Sequence, residues 1–182
     1  MPKAFAELTS IANYNGSGAV FDSNIPLLFI DSYGVSVDGS SGGSNPFRPG
    51  FAFVFPTDLK TGRASLLGNA DYMGNCGVHV RGESSSGFDQ RSYALEIQDP
   101  AGLDKDASLL GMPGNSDWVL YGPWSEKTLM RNKLIFDWMI RLRGQDGMAM
   151  RTRFVELFFN QTKPSTGKVT YTTAYRGIYV LM

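Results

Sequence analysis

The sequence contains little of the chemistry that builds disulfides, zinc sites and nucleophilic triads. It has one cysteine, Cys76, and one histidine, His79, among 182 residues. A single cysteine excludes an intramolecular disulfide framework and a multi-cysteine zinc site. The histidine lies in an alternating strand pattern without a second histidine to complete a metal site, which favours a structural or exposed role. The sequence therefore argues against a complete enzyme built on a nucleophile and a histidine base.

Net charge and long apolar runs are absent as well. Lys and Arg number 17, and Asp and Glu also number 17, so no overall field attracts the chain to nucleic acid or to an anionic membrane surface. Any anion site must therefore be local. No apolar run approaches the roughly 20 residues that span a bilayer, and the first residues lack the apolar stretch of a signal peptide. These features predict no nucleic-acid partner and no membrane span, and they leave the compartment unknown.

Apolar patterning predicts a chain rich in β-strands. With 42% hydrophobic and 13% aromatic residues, a chain of this length can bury one sizeable core, so one domain is expected. Short apolar runs and alternating segments, bounded by glycine, proline and polar residues, are typical of strands joined by turns. The predicted strands cover residues 25–31, 50–55, 64–67, 77–82, 91–97, 117–121, 152–159 and 175–181. A surface loop is expected from Gly34 to Pro49.

One helix is predicted, from about Glu126 to Arg143. Ser125 is suited to cap its first turn, and Gly144 is suited to end it. Apolar residues recur at helical spacing and predict a broad stripe packed in the core. The stripe contains Met130, Leu134, Ile135, Trp138, Met139 and Leu142. The predicted fold class is therefore α+β, a mostly antiparallel sheet with one principal helix.

Several segments resemble the CotH-like kinases, the family of the spore coat protein CotH. The most specific is Asp117-Trp-Val-Leu-Tyr-Gly-Pro-Trp-Ser-Glu-Lys-Thr-Leu-Met-Arg-Asn132. Residues 78–88, 91–97, 108–116, 151–156 and 177–182 are similar to the family in the same order. The resemblance implies the nucleotide-facing lobe of an atypical protein-kinase-like fold. It also implies binding of ATP and Mg²⁺ and phosphorylation of serine on a protein substrate of a spore coat or cell surface.

The extent of the resemblance predicts how the chain is organised. Residues 1–22 are predicted to form an amino-terminal extension, and residues 23–182 the amino-terminal part of the family's domain. Relatives continue past the Val-Leu-Met motif with an acidic segment that contains their catalytic and metal-binding acids. The chain instead stops inside an apolar strand pattern at Met182, so we expect a fragment that is inactive alone. The alternative is that the last strand simply lies at the centre of the sheet. No catalytic residue is assigned.

The glycine- and serine-rich loop between two predicted strands is the first candidate for phosphate binding. Small residues let backbone amides approach a phosphate, and a following arginine adds positive charge. Relatives often have lysines just before this strand, where this chain has Gln90 and Arg91. The candidate residues are Arg81, Gly82, Ser84, Ser85, Ser86, Gly87 and Arg91. The alternative is an ordinary hairpin loop with two solvated arginines.

The start of the predicted helix is the second candidate. Unpaired amides and the helix dipole favour an anion there, and Lys127, Arg131 and Asn132 could face a nucleotide. In the alternative, Ser125 caps the helix and the other three are exposed. For the whole chain, the alternative to a kinase is a non-catalytic binding or structural module of a coat or surface assembly. Such a module would dock through an exposed strand edge.

Overall fold

The computed structural model of the protein describes residues 21–38, 46–143, 149–162 and 171–182. Within these ranges the strands are β1 (Asp22–Ser23), β2 (Leu27–Asp31), β3 (Arg48–Phe55), β4 (Ala64–Ser65), β5 (Tyr72–Arg81), β6 (Ser92–Ile97), β7 (Asp117–Tyr121), β8 (Arg153–Asn160) and β9 (Tyr175–Leu181). The helices are α1 (Arg131–Arg143) and the single turn α2 (Tyr171–Ala174), and a 3₁₀ turn covers Ser84–Gly87. The α+β class and the mostly antiparallel pairing are confirmed. Most of residues 1–22 and the centre of the predicted 34–49 loop lie outside the described ranges.

Seven strands close into a barrel in the order β2-β3-β5-β6-β7-β9-β8. All neighbours in it are antiparallel except β2 and β8, which run parallel. Each barrel strand therefore has a hydrogen-bonded neighbour on both sides. The prediction that a binding module would dock through an exposed strand edge is wrong for the barrel. Closure pairs the two strands that would otherwise be edges of the sheet.

Two apolar clusters hold the barrel together. The lumen is filled by inward-facing side chains from all seven strands, among them Ile30, Leu95 and Leu157. A second cluster, rich in phenylalanine, covers the outer face of β2, β3 and β8 and includes Phe29 and Phe158. Strand β2 contributes to both clusters and is buried along its whole length. This explains why its sequence is a continuous apolar run without alternation.

Helix α1 begins later than the sequence predicts. Leu129 has a positive φ of 58°, which an α-helix cannot accommodate, so the helix starts at Arg131. Glu126 takes the capping role predicted for Ser125. Its carboxylate accepts the amide of Thr128 over 2.9 Å and the amide of Arg131 over 3.1 Å. The predicted end at Gly144 falls outside the described residues.

The apolar stripe of α1 does not pack in the core, which contradicts the prediction for it. Trp138 is 56% exposed and Leu142 is 84% exposed. The rest of the stripe is also exposed, namely Met130, Leu134, Ile135 and Met139. The physical reason is that the strands fill the barrel with their own side chains, so the core does not need the helix. Helical periodicity identifies an apolar face but does not show that the face has a partner.

Candidate functional site

The predicted loop between β5 and β6 is compact. Gly82 has a φ of 96°, and a Cβ atom there would clash with Oγ of Ser85. The hydroxyl of Ser86 donates to the carbonyl of Glu83 over 2.5 Å, and the amide of Phe88 donates to the carbonyl of Ser85 over 3.2 Å. The loop therefore holds its shape through its own short-range bonds, and glycine is required at position 82.

The loop lies at one end of the barrel, here called the mouth. Arg81 pairs with Ser92 and Tyr93 pairs with Leu120, so β5 and β7 end beside the start of β6. The parallel strands β2 and β8 end together at the same mouth, and β9 begins there. The mouth therefore collects residues that are far apart in the sequence, including several that sequence reasoning missed.

Arg91 connects the loop to the mouth. Its Nε donates to the carbonyl of Ser86 over 2.8 Å. One terminal nitrogen, Nη1, lies 3.4 Å from Oδ1 of Asp38, and both side chains are about one-third exposed. Arg91 is therefore not a freely solvated strand end. Two native contacts fix its guanidinium beside the candidate loop.

Asp38 is the centre of a polar cluster that the sequence did not reveal. Its Oδ1 accepts the hydroxyl of buried Tyr93 over 2.9 Å, and its Oδ2 accepts Nε2 of Gln161 over 2.6 Å. Oε1 of Gln161 accepts the amide of Val37 over 2.7 Å. We call Asp38, Arg91, Tyr93 and Gln161 the Asp38 cluster. In the sequence Asp38 borders a glycine- and serine-rich segment, which looked like an ordinary surface loop.

A second arginine lies close to this cluster. Arg176 is at the bulge that interrupts the β8–β9 pairing, and its Nε is buried without a hydrogen-bond partner in the described part of the chain. Burial raises the pKa of Tyr93 and of Tyr179, and the positive charge of Arg176 opposes that rise in both. Arg176 therefore adds a second positive charge at the mouth.

The second group of predicted site residues, at the start of α1, does not contact the first group, the loop with Arg91, in the described part of the chain. Arg131 is paired with Glu126, with 3.6 Å between Nε and Oε1, and its side chain is 77% exposed. Lys127 lies in the turn before α1, and Asn132 is the second residue of the helix. Across the described ranges, no hydrogen bond or ion pair connects these three residues to the Asp38 cluster. Arg81 ends β5 at the mouth with an exposed side chain.

Mg²⁺, which the resemblance implies, has no ligand set in the part of the chain that the structure describes. No group of three His, Cys, Asp or Glu residues there could hold a metal ion. Cys76 is buried, and that burial raises the pKa of its thiol, so it is not a reactive nucleophile. Among the described residues, no helix is both long and apolar enough to cross a membrane.

Comparison with known proteins identifies the family. The family model described as CotH kinase protein matches residues 78–182, which is more than half of the chain. The chain belongs to the CotH kinase family. No curated protein matches it. The matched region includes the loop, Arg91, α1 and Arg176, whereas Asp38 lies before it.

Proposed function

We propose that the chain is the nucleotide-facing part of an atypical protein kinase and that the barrel mouth binds the phosphates of ATP. The domain as a whole would transfer phosphate to serine on a protein of a spore coat or cell surface. The observation that carries the proposal is the position of Arg91, fixed between the Ser86 carbonyl and the Asp38 carboxylate at the mouth. Phosphoryl transfer depends mainly on such positioned positive charge around the phosphates.

Arg91 retains donors for a phosphate. A guanidinium has five N–H donors, and in the described part of the chain the contacts with Ser86 and Asp38 use Nε and Nη1, which leaves the two donors of Nη2. Guanidinium groups bind phosphate oxygens as a fork, through two parallel charge-assisted hydrogen bonds. Protein kinases place a lysine of a β-strand beside the phosphates, where it acts as a point charge. Arg91 would instead make a directional contact at that place.

Arg176 strengthens the case. A buried guanidinium nitrogen without an acceptor is costly, and a phosphate oxygen at the mouth would supply that acceptor. The Asp38 carboxylate balances one of the two positive charges. Binding of a phosphate beside both arginines would therefore leave the local charge close to neutral or negative rather than strongly positive.

The extent of the domain is part of this proposal. The family match begins at residue 78, but β2 and β3 belong to the same closed barrel as the matched strands. Their membership supports a domain that starts near residue 23. The amides of the loop and the two arginines would bind and orient ATP. The acids that hold Mg²⁺ and activate the serine are assigned to no residue of this chain.

Calorimetric titration with ATP and with adenosine tests the proposal. We expect Arg91→Ala and Arg176→Ala each to weaken ATP binding by about tenfold or more, the equivalent of one charge-assisted hydrogen bond. Adenosine affinity should be unchanged, because adenosine has no phosphate. Lys60→Ala, which removes an exposed cation between β3 and β4, is the matched control. Equal losses for ATP and adenosine, or no loss for either, would overturn the proposal. Transfer to serine is measured separately with radiolabelled ATP.

A second candidate function is a non-catalytic binding module of a coat or surface assembly. The exposed apolar face of α1, with Trp138 and Leu142, is the observation that favours it. The sequence of the helix also has four cations, Arg131, Lys133, Arg141 and Arg143, against the single acid Asp137, so its partner would be a protein with an apolar surface bordered by acidic side chains. Absence of any phosphate-dependent ATP binding, together with binding of such a partner that Trp138→Ser abolishes, would favour this function.

A further inference from the structure

A second cationic site lies away from the barrel mouth. A cleft of about 340 Å³ separates α1 from the segment that leads into β8. It is lined by Lys133, Asp137, Ile140, Arg141, Arg151, Thr152 and Arg153. Arg153 pairs with Leu181, at the end of β9 opposite the Arg176 bulge. The cleft is therefore distinct from the site proposed for ATP.

The cleft has a strong excess of positive charge. Lys133 and Asp137 pair with each other across one helical turn, with 2.5 Å between Nζ and Oδ2, so their charges cancel. Arg141, Arg151 and Arg153 remain, and within the described ranges none of the three has a carboxylate partner. Among the described residues, these three guanidinium groups give the cleft a local excess of positive charge, in a chain whose Lys and Arg balance its Asp and Glu.

One of the residues that line the cleft, Thr152, has a buried polar side chain. Thr152 is 1% exposed, and its Oγ1 has no hydrogen-bond partner in the part of the chain that is described. Its carbonyl accepts Nη1 of Arg153 over 3.0 Å, which fixes one of the guanidinium groups. Leaving a buried hydroxyl unpaired is unfavourable, because the group has lost its hydrogen bonds to water. A ligand oxygen that accepted this hydroxyl would remove that cost.

We propose that this cleft binds a phosphate monoester. Such a group is a dianion near neutral pH with three strong acceptor oxygens, which suits three arginines and one hydroxyl donor better than a single carboxylate does. The volume lies at the low end of small-ligand sites, which are about 300–1,000 Å³. That size accommodates one phosphate and a short carrier, such as the side chain of a phosphorylated serine. The proposal concerns binding only and does not depend on ATP binding at the mouth.

The experiment titrates the chain with three probes at constant ionic strength: inorganic phosphate, a short phosphoserine peptide, and the same peptide with glutamate in place of phosphoserine. We expect the phosphoserine peptide to bind at least about tenfold more tightly than the glutamate peptide. Arg151→Ala should weaken phosphoserine binding by about tenfold, whereas Lys60→Ala, which removes an exposed cation outside the cleft, should not change it. Binding of inorganic phosphate as tight as that of the peptide, and weakened in the same way by Arg151→Ala, would show that the cleft recognises the phosphate group alone, which supports the proposal.

A second variant separates binding from folding. Thr152→Val keeps the shape of the buried side chain but removes its hydroxyl. Because that hydroxyl is unpaired in the structure, the variant should melt at the same temperature as the original chain or higher, and should still bind phosphoserine more weakly. Equal affinity for the glutamate and phosphoserine peptides would overturn the proposal. It would also be overturned if Arg91→Ala, and not Arg151→Ala, reduced phosphoserine binding.

Discussion

The Nε atom of Arg91 donates to the carbonyl oxygen of Ser86 over 2.8 Å, so the strand after the loop holds the loop in place. Its guanidinium also lies 3.4 Å from the Asp38 carboxylate. Arg91 is therefore part of the folded structure and not only a candidate ligand of ATP. A variant at this position should change stability as well as nucleotide affinity.

We predict that Arg91→Ala lowers the free energy of unfolding by about 1–2 kcal/mol, the sum of one hydrogen bond and one partly exposed ion pair. Denaturant unfolding measures this loss. Arg81→Ala is the matched control, because Arg81 is an exposed arginine at the same mouth, and its cost should stay below about 0.5 kcal/mol. If the two variants unfold at the same denaturant concentration, the contacts of Arg91 contribute nothing to the fold.

The two glycines that bound the loop should respond differently to alanine. Gly82 has a left-handed φ of 96°, which costs an L-residue about 1–2 kcal/mol. Nothing lies within 4 Å of a Cβ atom built on Gly87. We therefore expect Gly82→Ala to destabilise the protein by about that amount and Gly87→Ala to be almost neutral. Thermal melts of the two variants provide the test, and a greater loss at Gly87 would contradict this loop geometry.

Stability should fall in alkaline solution. Burial, with a smaller effect from nearby Cys76, raises the pKa of Tyr72 from 10.0 to about 12. Between these values the unfolded chain loses a proton that the folded chain retains, so the free energy of unfolding decreases as pH rises from about 10 to about 12. Burial raises the pKa of Tyr93 and of Tyr179 as well, and their effect has the same sign.

Tyr72→Phe isolates the contribution of one tyrosine, because it keeps the ring and removes the ionising group. We expect this variant to lose less stability than the original chain between pH 10 and pH 12, with little difference at pH 8. Denaturant unfolding at each pH gives the free energy of unfolding of both proteins, and hence the slope of that free energy against pH for each. Identical slopes would mean that Tyr72 titrates at the same pH in the folded and unfolded states.

Local patterns predicted the strands well, because alternation and turn residues act over short distances. The predicted bounds of β7 and β9 match the structure, and the β5–β6 hairpin with its loop lies where the sequence indicated. Barrel closure was not predictable in this way. It depends on the parallel pairing of Leu27 with Glu156, which are far apart in the chain, and no local period specifies that contact.

The candidate site was predicted only in part for the same reason. Arg91 and the loop are neighbours in the sequence and lie in a segment that resembles the CotH-like kinases. Asp38 and Gln161 reach Arg91 and Tyr93 only after the barrel closes. Arg176 lies in a strand that the sequence predicted, but it was not a candidate site residue, since a bulge is not visible in the sequence.

Two of the three tryptophans, Trp118 and Trp138, should show that the core is the barrel and not the helix. Trp118 is 5% exposed, and its indole Nε1 donates to the carbonyl of Asn115 over 2.9 Å, whereas Trp138 is 56% exposed on α1. We predict that Trp118→Ala costs about 3–5 kcal/mol, as expected for a large buried side chain. Trp138→Ala should cost less than about 1 kcal/mol. Acrylamide should quench the fluorescence of Trp138 more strongly than that of Trp118, measured in single-tryptophan variants. A loss at Trp138 as large as that at Trp118 would mean that the helix packs its apolar face in solution.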